Sequence, residues 1–209
     1  GGALLKGTDM SRTVEFIYDF ASPNAYLAQR VLTGIAARTG AQIRLLPCLL
    51  GGIFKLTSNQ SPMAAFAQVK GKLEYEALET QRFISKHQLH DFKWNPHFPV
   101  NTLLIMRAWI AAQRLGVGDS YAAAVSAAMW ERELKMDDAS VVEKVLSEAG
   151  LDAPRLLAMT QEPEIKAELM TNTESAVKRG VFGIPTFFVD GEMFFGKERL
   201  TQLEEHLRH

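Results

Sequence analysis

Asp19-Phe20-Ala21-Ser22-Pro23-Asn24 places a hydroxyl where an apolar segment, Val14-Glu15-Phe16-Ile17-Tyr18, gives way to a helical pattern. The apolar segment is β-branched and aromatic, as in a strand buried on both faces. Ser22 is a natural N-cap, and Pro23 falls at the first helical position, where its missing N–H costs nothing. The unpaired N–H groups of a helix N-terminus carry about half a positive charge and favour an anion. A dithiol enzyme shows Cys-x-x-Cys at such a junction. This chain shows Ser22-Pro23-Asn24-Ala25 and has one cysteine in all, Cys48. It therefore cannot run a dithiol–disulfide cycle from its own side chains. Ser22 either caps the helix and does nothing more, or donates a hydrogen bond to a thiolate that another molecule supplies. The helix terminus adds roughly 0.3–2 kcal/mol of anion stabilisation, enough to leave a thiol of ordinary pKa near 8.5 largely ionised around neutral pH.

A second signal is Gly183-Ile184-Pro185-Thr186-Phe187-Phe188-Val189, a proline directly ahead of a strand. The elements between the two signals must bring them together. From Pro23, residues Leu27, Val31, Leu32 and Ile35 share a helical face, Thr39-Gly40 ends the helix, and a strand follows over 42–48. This is a βαβ unit with a right-handed crossover expected. Gly51-Gly52-Ile53-Phe54-Lys55 and the polar run to Pro62 read as a loop. Helices then follow over 63–87, 101–115, 119–132 and 139–149, with a proline-punctuated loop over 90–99. Asp152-Ala153-Pro154 opens a short helix and Glu162-Pro163 a longer one ending at Gly180. A strand over 186–189, an Asp190-Gly191 turn and a strand over 193–195 read as a hairpin, before a helix from Lys197 carrying Leu200, Leu203 and Leu207 on one face.

The order βαβ, helical block, ββα predicts an α/β protein, a thioredoxin-like fold with a large inserted α-helical domain. Residues 12–52 and 181–209 would form the discontinuous thioredoxin-like domain and 53–180 the insertion. In that fold Pro185 faces the N-terminus of the first helix, and a cis Ile184–Pro185 bond leaves the Ile184 backbone N–H and C=O free for a peptide-like ligand. An ordinary trans proline ahead of a strand is the other reading.

Composition narrows the function. With 47% hydrophobic residues the chain needs no metal or disulfide staple, and a net charge of −1 makes no electrostatic case for nucleic acid or an anionic membrane. No apolar run nears the roughly 18 residues of a membrane span. A lone cysteine points to a reducing, cytoplasmic setting and leaves no thiolates for a metal cluster. Residues 1–10 read as no signal peptide, with Gly1-Gly2 and Met10 an expression remnant before a native start. Cys48 reads as a small core residue. Trp109 and Trp130 read as core or as walls of an apolar pocket, and Asn101 as the cap of a helix at Thr102. His87, His90 and His97 fit no tight zinc spacing, so no metal is expected.

Five strings carry a family resemblance: Tyr18-Asp19-Phe20-Ala21-Ser22-Pro23, Leu49-Leu50-Gly51-Gly52-Ile53-Phe54-Lys55, Phe98-Pro99-Val100-Asn101-Thr102-Leu103, Gly183-Ile184-Pro185-Thr186 and Phe195-Gly196-Lys197-Glu198-Arg199-Leu200. Together they resemble 2-hydroxychromene-2-carboxylate isomerases, a family close to kappa-class glutathione transferases and DsbA-type oxidoreductases, over residues 14–207. The resemblance implies bound glutathione, a small-molecule substrate and a homodimer. By it, Ser22 is the catalytic group whose hydroxyl contacts the glutathione sulfur, and Ile184, ahead of Pro185, holds the cysteinyl backbone. Lys55 reaches the glycyl carboxylate or lines the substrate pocket, while Lys197 and Glu198 take the γ-glutamyl end. Two departures stand out. Glu198 replaces the family's Asp, and Asn24 stands where the best-known members place an aromatic residue. Asn24 is therefore a candidate for tuning the substrate pocket, and Trp94 either lines that pocket as well or only packs the proline-rich loop. The expected activity is glutathione-dependent isomerisation of a small aromatic-pathway carboxylic acid such as 2-hydroxychromene-2-carboxylate. A kappa-class-like transferase or peroxidase, and a non-catalytic peptide-binding module, are the alternatives.

Overall fold

The computed structural model describes residues 12–209, and the segment read as an expression remnant lies outside the described residues. β-Branched and aromatic residues place β1 (Thr13–Tyr18) inside a four-stranded sheet. It pairs in parallel with β2 (Gln42–Pro47), from Thr13 opposite Gln42 to Tyr18 opposite Pro47, and antiparallel with β3 (Thr186–Val189). β4 (Glu192–Phe195) completes the order β2-β1-β3-β4. α1 (Pro23–Thr39) makes the crossover between β1 and β2, burying Leu27, Leu32 and Ile35, and stops at Gly40, whose φ of 73° few other residues tolerate. Asp190 and Gly191 have φ of 52° and 79°, the left-handed pair that a two-residue hairpin needs.

Between β2 and β3 run α2 (Leu50–Thr57), α3 (Pro62–Phe66), α4 (Lys72–His87), α5 (Leu103–Arg114), α6 (Gly118–Trp130), α7 (Ala139–Glu148), α8 (Ala153–Met159) and α9 (Pro163–Lys178). After β4 come a 3-10 turn over Lys197–Arg199 and α10 (Leu200–Leu207). Three expectations need correcting. The glycine-rich segment is not a loop but α2, which runs across residues 52 and 53. Glycine serves close packing here: a Cβ on Gly52 would lie 3.0 Å from Cγ2 of Thr173 on α9. The single helix over 63–87 is two, because Gly71 takes a left-handed φ of 85° between them. The last helix starts as a 3-10 turn, with α10 proper beginning at Leu200.

Phe16, Tyr18, Phe20, Trp109 and Tyr121 form a fully buried aromatic core that joins β1 to α5 and α6, with Tyr18 edge-on to Trp109 at 5.6 Å and Phe20 at 4.8 Å from it. Polar tips are satisfied: Tyr121 donates to the Ile105 carbonyl at 2.6 Å and Trp130 to the Phe20 carbonyl at 2.8 Å. Burial pushes the Tyr18 phenol well up, so its partner, Ser126 Oγ at 3.2 Å, meets a neutral hydroxyl.

α10 is tied to α1 by Arg38, whose guanidinium donates twice to Glu204 at 2.7 and 3.2 Å, and Arg208 adds a bond at 2.7 Å. These two cations hold the Glu204 carboxyl down to about 2 from an ordinary 4.5. A depressed carboxylate pKa stabilises the fold above the ordinary value, and that stability is lost as pH falls through the depressed one. Glu204→Gln should therefore melt slightly below wild type at neutral pH. Thermal melts across the acid range should show the gap closing between about 4.5 and 2.

Candidate functional site

Ser22 sits where β1 ends and α1 begins, only 4% exposed, with extended φ and ψ of −93° and 113°. Its Oγ accepts the Ala25 N–H at 3.1 Å, the capping bond expected of an N-cap serine. It also donates to the Ile184 carbonyl at 3.3 Å, and the direction is fixed because a carbonyl has no proton to give. The Ile184–Pro185 bond is cis, as is Phe98–Pro99. The fold thus brings Ser22 into contact with the residue that precedes Pro185. Pro185 is held in turn by the Gly196 N–H, which donates to its carbonyl at 3.0 Å. The N–H groups of Asn24, on the first turn of α1, and of Ile184 have no partner among the described residues. Two unpaired donors therefore belong to a residue of the helix N-terminus beside Ser22 and to the residue its hydroxyl contacts, an arrangement suited to an anion with a backbone-like arm.

Asp19 underlies this corner, and the sequence reading gave it no role. Its side chain is 1% exposed. Oδ1 accepts the Ala21 N–H at 2.9 Å and the Thr102 hydroxyl at 2.7 Å, while Oδ2 accepts the Leu50 N–H at 2.8 Å. One carboxyl group thus joins the β1–α1 turn to the N-terminus of α2 and to the residue ahead of α5. Burial pushes its pKa up, opposed by the Leu50 and Ala21 amides and the Thr102 hydroxyl. The signal available in the sequence was an acidic residue directly following an apolar strand.

The other expected site residues are spread more widely. Lys55 is exposed on α2 and its side chain has no partner among the described residues. Lys197 is 3% exposed, its ammonium 2.6 Å from Glu198 Oε1 and 5.7 Å from the Phe83 ring. With Val31, Ile35 and Glu198 it lines a concavity of about 170 Å³ against the second half of α1. Val31 lies nine residues beyond Ser22, about 14 Å along the helix axis, so the Lys197 ammonium is not brought to Ser22. A buried ammonium needs a carboxylate beside it, and Glu198 meets that need. Burial pushes the Glu198 carboxyl up, but the Lys197 hydrogen bond and charge outweigh it and its pKa falls below the usual range. Glu198 also borders a concavity of about 510 Å³ with Met193, Phe195 and Arg199. Ser22 lines neither concavity.

Trp94 is 49% exposed and packs on Phe98 at 4.9 Å and Trp130 at 6.0 Å. Trp130 in turn bonds the Phe20 carbonyl, two residues before Ser22, so an aromatic ladder runs from the core to an open ring face. Asn95 fixes this loop by donating to the Met129 and Leu134 carbonyls at 3.0 and 2.8 Å. Asn101 is not the N-cap expected: α5 starts at Leu103 with Thr102 as its cap, and Asn101, one residue ahead of that cap, accepts the Leu103 N–H at 3.0 Å. Cys48 is a core residue: burial, then the Asp19 charge, pushes its thiol up to about 12. His87 packs on Phe83 at 4.6 Å, and burial lowers its pKa.

Residues 13–208 match the family described as the DSBA-like thioredoxin domain. The 2-hydroxychromene-2-carboxylate isomerase of Sphingobium xenophagum is 30% identical, over 95% of this chain and 99% of its own length. Glutathione S-transferase kappa 1 of Homo sapiens is 27% identical, over 95% of this chain and 91% of its own. A solved 2-hydroxychromene-2-carboxylate isomerase structure superposes with a TM-score of 0.80 at 25% identity, covering 94% of each chain. The serine-for-cysteine corner, the cis proline facing it and these similarities agree: the chain belongs to the DSBA-like thioredoxin-domain family, in the group that includes the 2-hydroxychromene-2-carboxylate isomerases and the kappa-class glutathione S-transferases.

Proposed function

We propose that the protein is a glutathione-dependent isomerase of a small carboxylic acid such as 2-hydroxychromene-2-carboxylate, acting in the cytoplasm. The observation that carries this reading is the 3.3 Å contact of the Ser22 hydroxyl with the carbonyl of Ile184, in a chain with no second thiol to use there. The residues present fit glutathione. The N–H groups of Asn24 and Ile184 are unpaired among the described residues, and the tripeptide brings both an anion and a backbone to pair with them. Bound glutathione supplies a thiolate that adds reversibly to an electrophilic carbon of the substrate and leaves again once a bond has rotated.

The chain's own residues do the rest. Ser22 donates its proton toward the sulfur, and the α1 N-terminus adds its partial positive charge. Ile184, ahead of Pro185, pairs with the cysteinyl backbone. Lys197 and Glu198 take the γ-glutamyl end, its ammonium on the Glu198 carboxylate. Lys55 takes a carboxylate, of glycine or of substrate. Asn24 and the open face of Trp94 bound the substrate and exclude water from it. Residues 12–52 and 181–209 form the thiol-binding domain and 53–180 the insertion that shapes the substrate side. Two protomers associate through the insertion. Leu56, Met63, Phe66, Val69, Tyr75 and Leu78, all between the start of α2 and the end of α4, are exposed, and apolar side chains of this kind suit an interface between two copies.

The similarity to kappa-class transferases favours a second outcome at the same site, in which glutathione leaves with the substrate or is oxidised. Product analysis with substoichiometric glutathione separates the two. Many turnovers to an isomer, with glutathione recovered whole, are expected. A stable conjugate or oxidised glutathione accumulating in step with product would contradict the isomerase and support the transferase or peroxidase.

A further inference from the structure

Ser22 has one hydroxyl proton, and the fold has already committed it. Its lone pairs accept the Ala25 N–H at 3.1 Å, so Oγ is fixed in place, and its O–H points to the Ile184 carbonyl at 3.3 Å. While that bond stands, the hydroxyl cannot also donate to an anion. Ile184 is a buried residue, 7% exposed, and taking the hydroxyl away leaves its carbonyl without a partner, at a cost of about 1–3 kcal/mol. A ligand that brings its own N–H to this carbonyl removes that cost.

We propose that the Ser22–Ile184 hydrogen bond is an amide-gated donor, so that the hydroxyl is released to a bound thiolate only by a ligand whose backbone N–H replaces it on the Ile184 carbonyl. The inference rests on the thiol-binding reading above and specifies which thiols the site activates: those carrying an amide N–H on the carbon next to the CH₂–SH group. The motion is a rotation of one O–H about its C–O bond with Oγ still held by Ala25, and no backbone movement is needed. The adjacent Ile184 N–H, unpaired among the described residues, receives the ligand's carbonyl and sets the register of the exchange. The thiol's proton passes to water as the sulfur ionises, and no bond to carbon changes. Backbone recognition and thiol acidity are then one event, and small thiols without the amide are held without full activation.

The test compares glutathione with its ester analogue, in which oxygen replaces the N–H of the γ-glutamyl–cysteine linkage while the thiol and both carboxylates remain. Ionisation of each bound thiol is followed by ultraviolet thiolate absorbance against pH, at saturating ligand, in wild type and in Ser22→Ala. In wild type the glutathione thiol should be the stronger acid by about fivefold to a hundredfold, the equivalent of the unpaired-carbonyl cost. In Ser22→Ala that difference should shrink to the difference between the free ligands. Equal acidification of both ligands by wild type would overturn the gate while leaving the thiol site standing. A difference that persists undiminished in Ser22→Ala would also overturn it, because the amide would then act without the hydroxyl. No acidification of glutathione at all would overturn both the gate and the reading on which it rests.

Discussion

Ser22→Ala should make the bound glutathione thiol a weaker acid by about tenfold to a hundredfold, and turnover near neutral pH should fall with it. A hydrogen bond to a charged acceptor contributes about 1.5–3 kcal/mol, and 1.4 kcal/mol is a factor of ten. The helix N-terminus remains in the variant, so part of the acidification survives and binding persists. Raising the pH should recover much of the lost rate, because the reactive form is then made by the solvent rather than by the site. The same substitution removes the bond from the Ala25 N–H and costs about 0.5–2 kcal/mol of stability as a lost N-cap. The two effects are separable. A pure capping role would lower the melting temperature and leave the pH–rate profile in place, whereas the role assigned here moves that profile to higher pH. Pre-steady-state pH profiles of both proteins make the comparison.

Asp19→Ala should be the most damaging single change in the corner for stability. It strands the Ala21 and Leu50 amides and the Thr102 hydroxyl, all at or near a fully buried carboxyl group. Unpaired buried groups cost about 1–3 kcal/mol each, and partial relaxation makes a loss of about 3–5 kcal/mol the expected result in denaturant melts. Asp19→Asn should fall between, because it keeps one acceptor oxygen but turns an NH₂ toward a backbone N–H. The pH dependence carries a definite sign. Burial raises the Asp19 pKa above its ordinary 3.8, so the folded state holds the proton more tightly than the unfolded chain. The contribution of this group is therefore greatest below about 3.8 and declines as pH rises through the raised value. The stability gap between wild type and Asp19→Asn should accordingly be wider near pH 4 than near pH 7. A gap that widens toward neutral pH would mean that the three donors outweigh burial and lower the Asp19 pKa instead.

Much of the frame was legible because local rules and tertiary packing agree there. The Ser22-Pro23 start of α1, the Gly40 stop and the Asp190-Gly191 hairpin each follow from backbone chemistry that a few neighbouring residues determine. α2 was not legible for the opposite reason. Gly51-Gly52 weakens a helix in isolation, and α2 is held by tertiary partners: Gly52 lets it approach Thr173 on α9, whose Cγ2 would lie 3.0 Å from a Cβ there, and Asp19 pairs the Leu50 N–H. Both partners are distant in sequence. The site divides along the same line. Ser22 and Pro185 announce themselves by type and setting, but the Asp19 knot depends on residues 31 and 83 positions away. Lys197 carried a signal for its position at the start of the last helix and none for its burial beneath Phe83, since the partner that neutralises it is its own neighbour, Glu198.

On the function proposed, these residues cradle a sulfur that the chain does not own, and a crystal grown or soaked with glutathione tests that claim most directly. The account predicts the sulfur within about 3.5 Å of Ser22 Oγ, with the cysteinyl backbone paired to Ile184. A glutathione sulfur found away from Ser22, or no glutathione at the Ser22 corner at millimolar concentration, would contradict it.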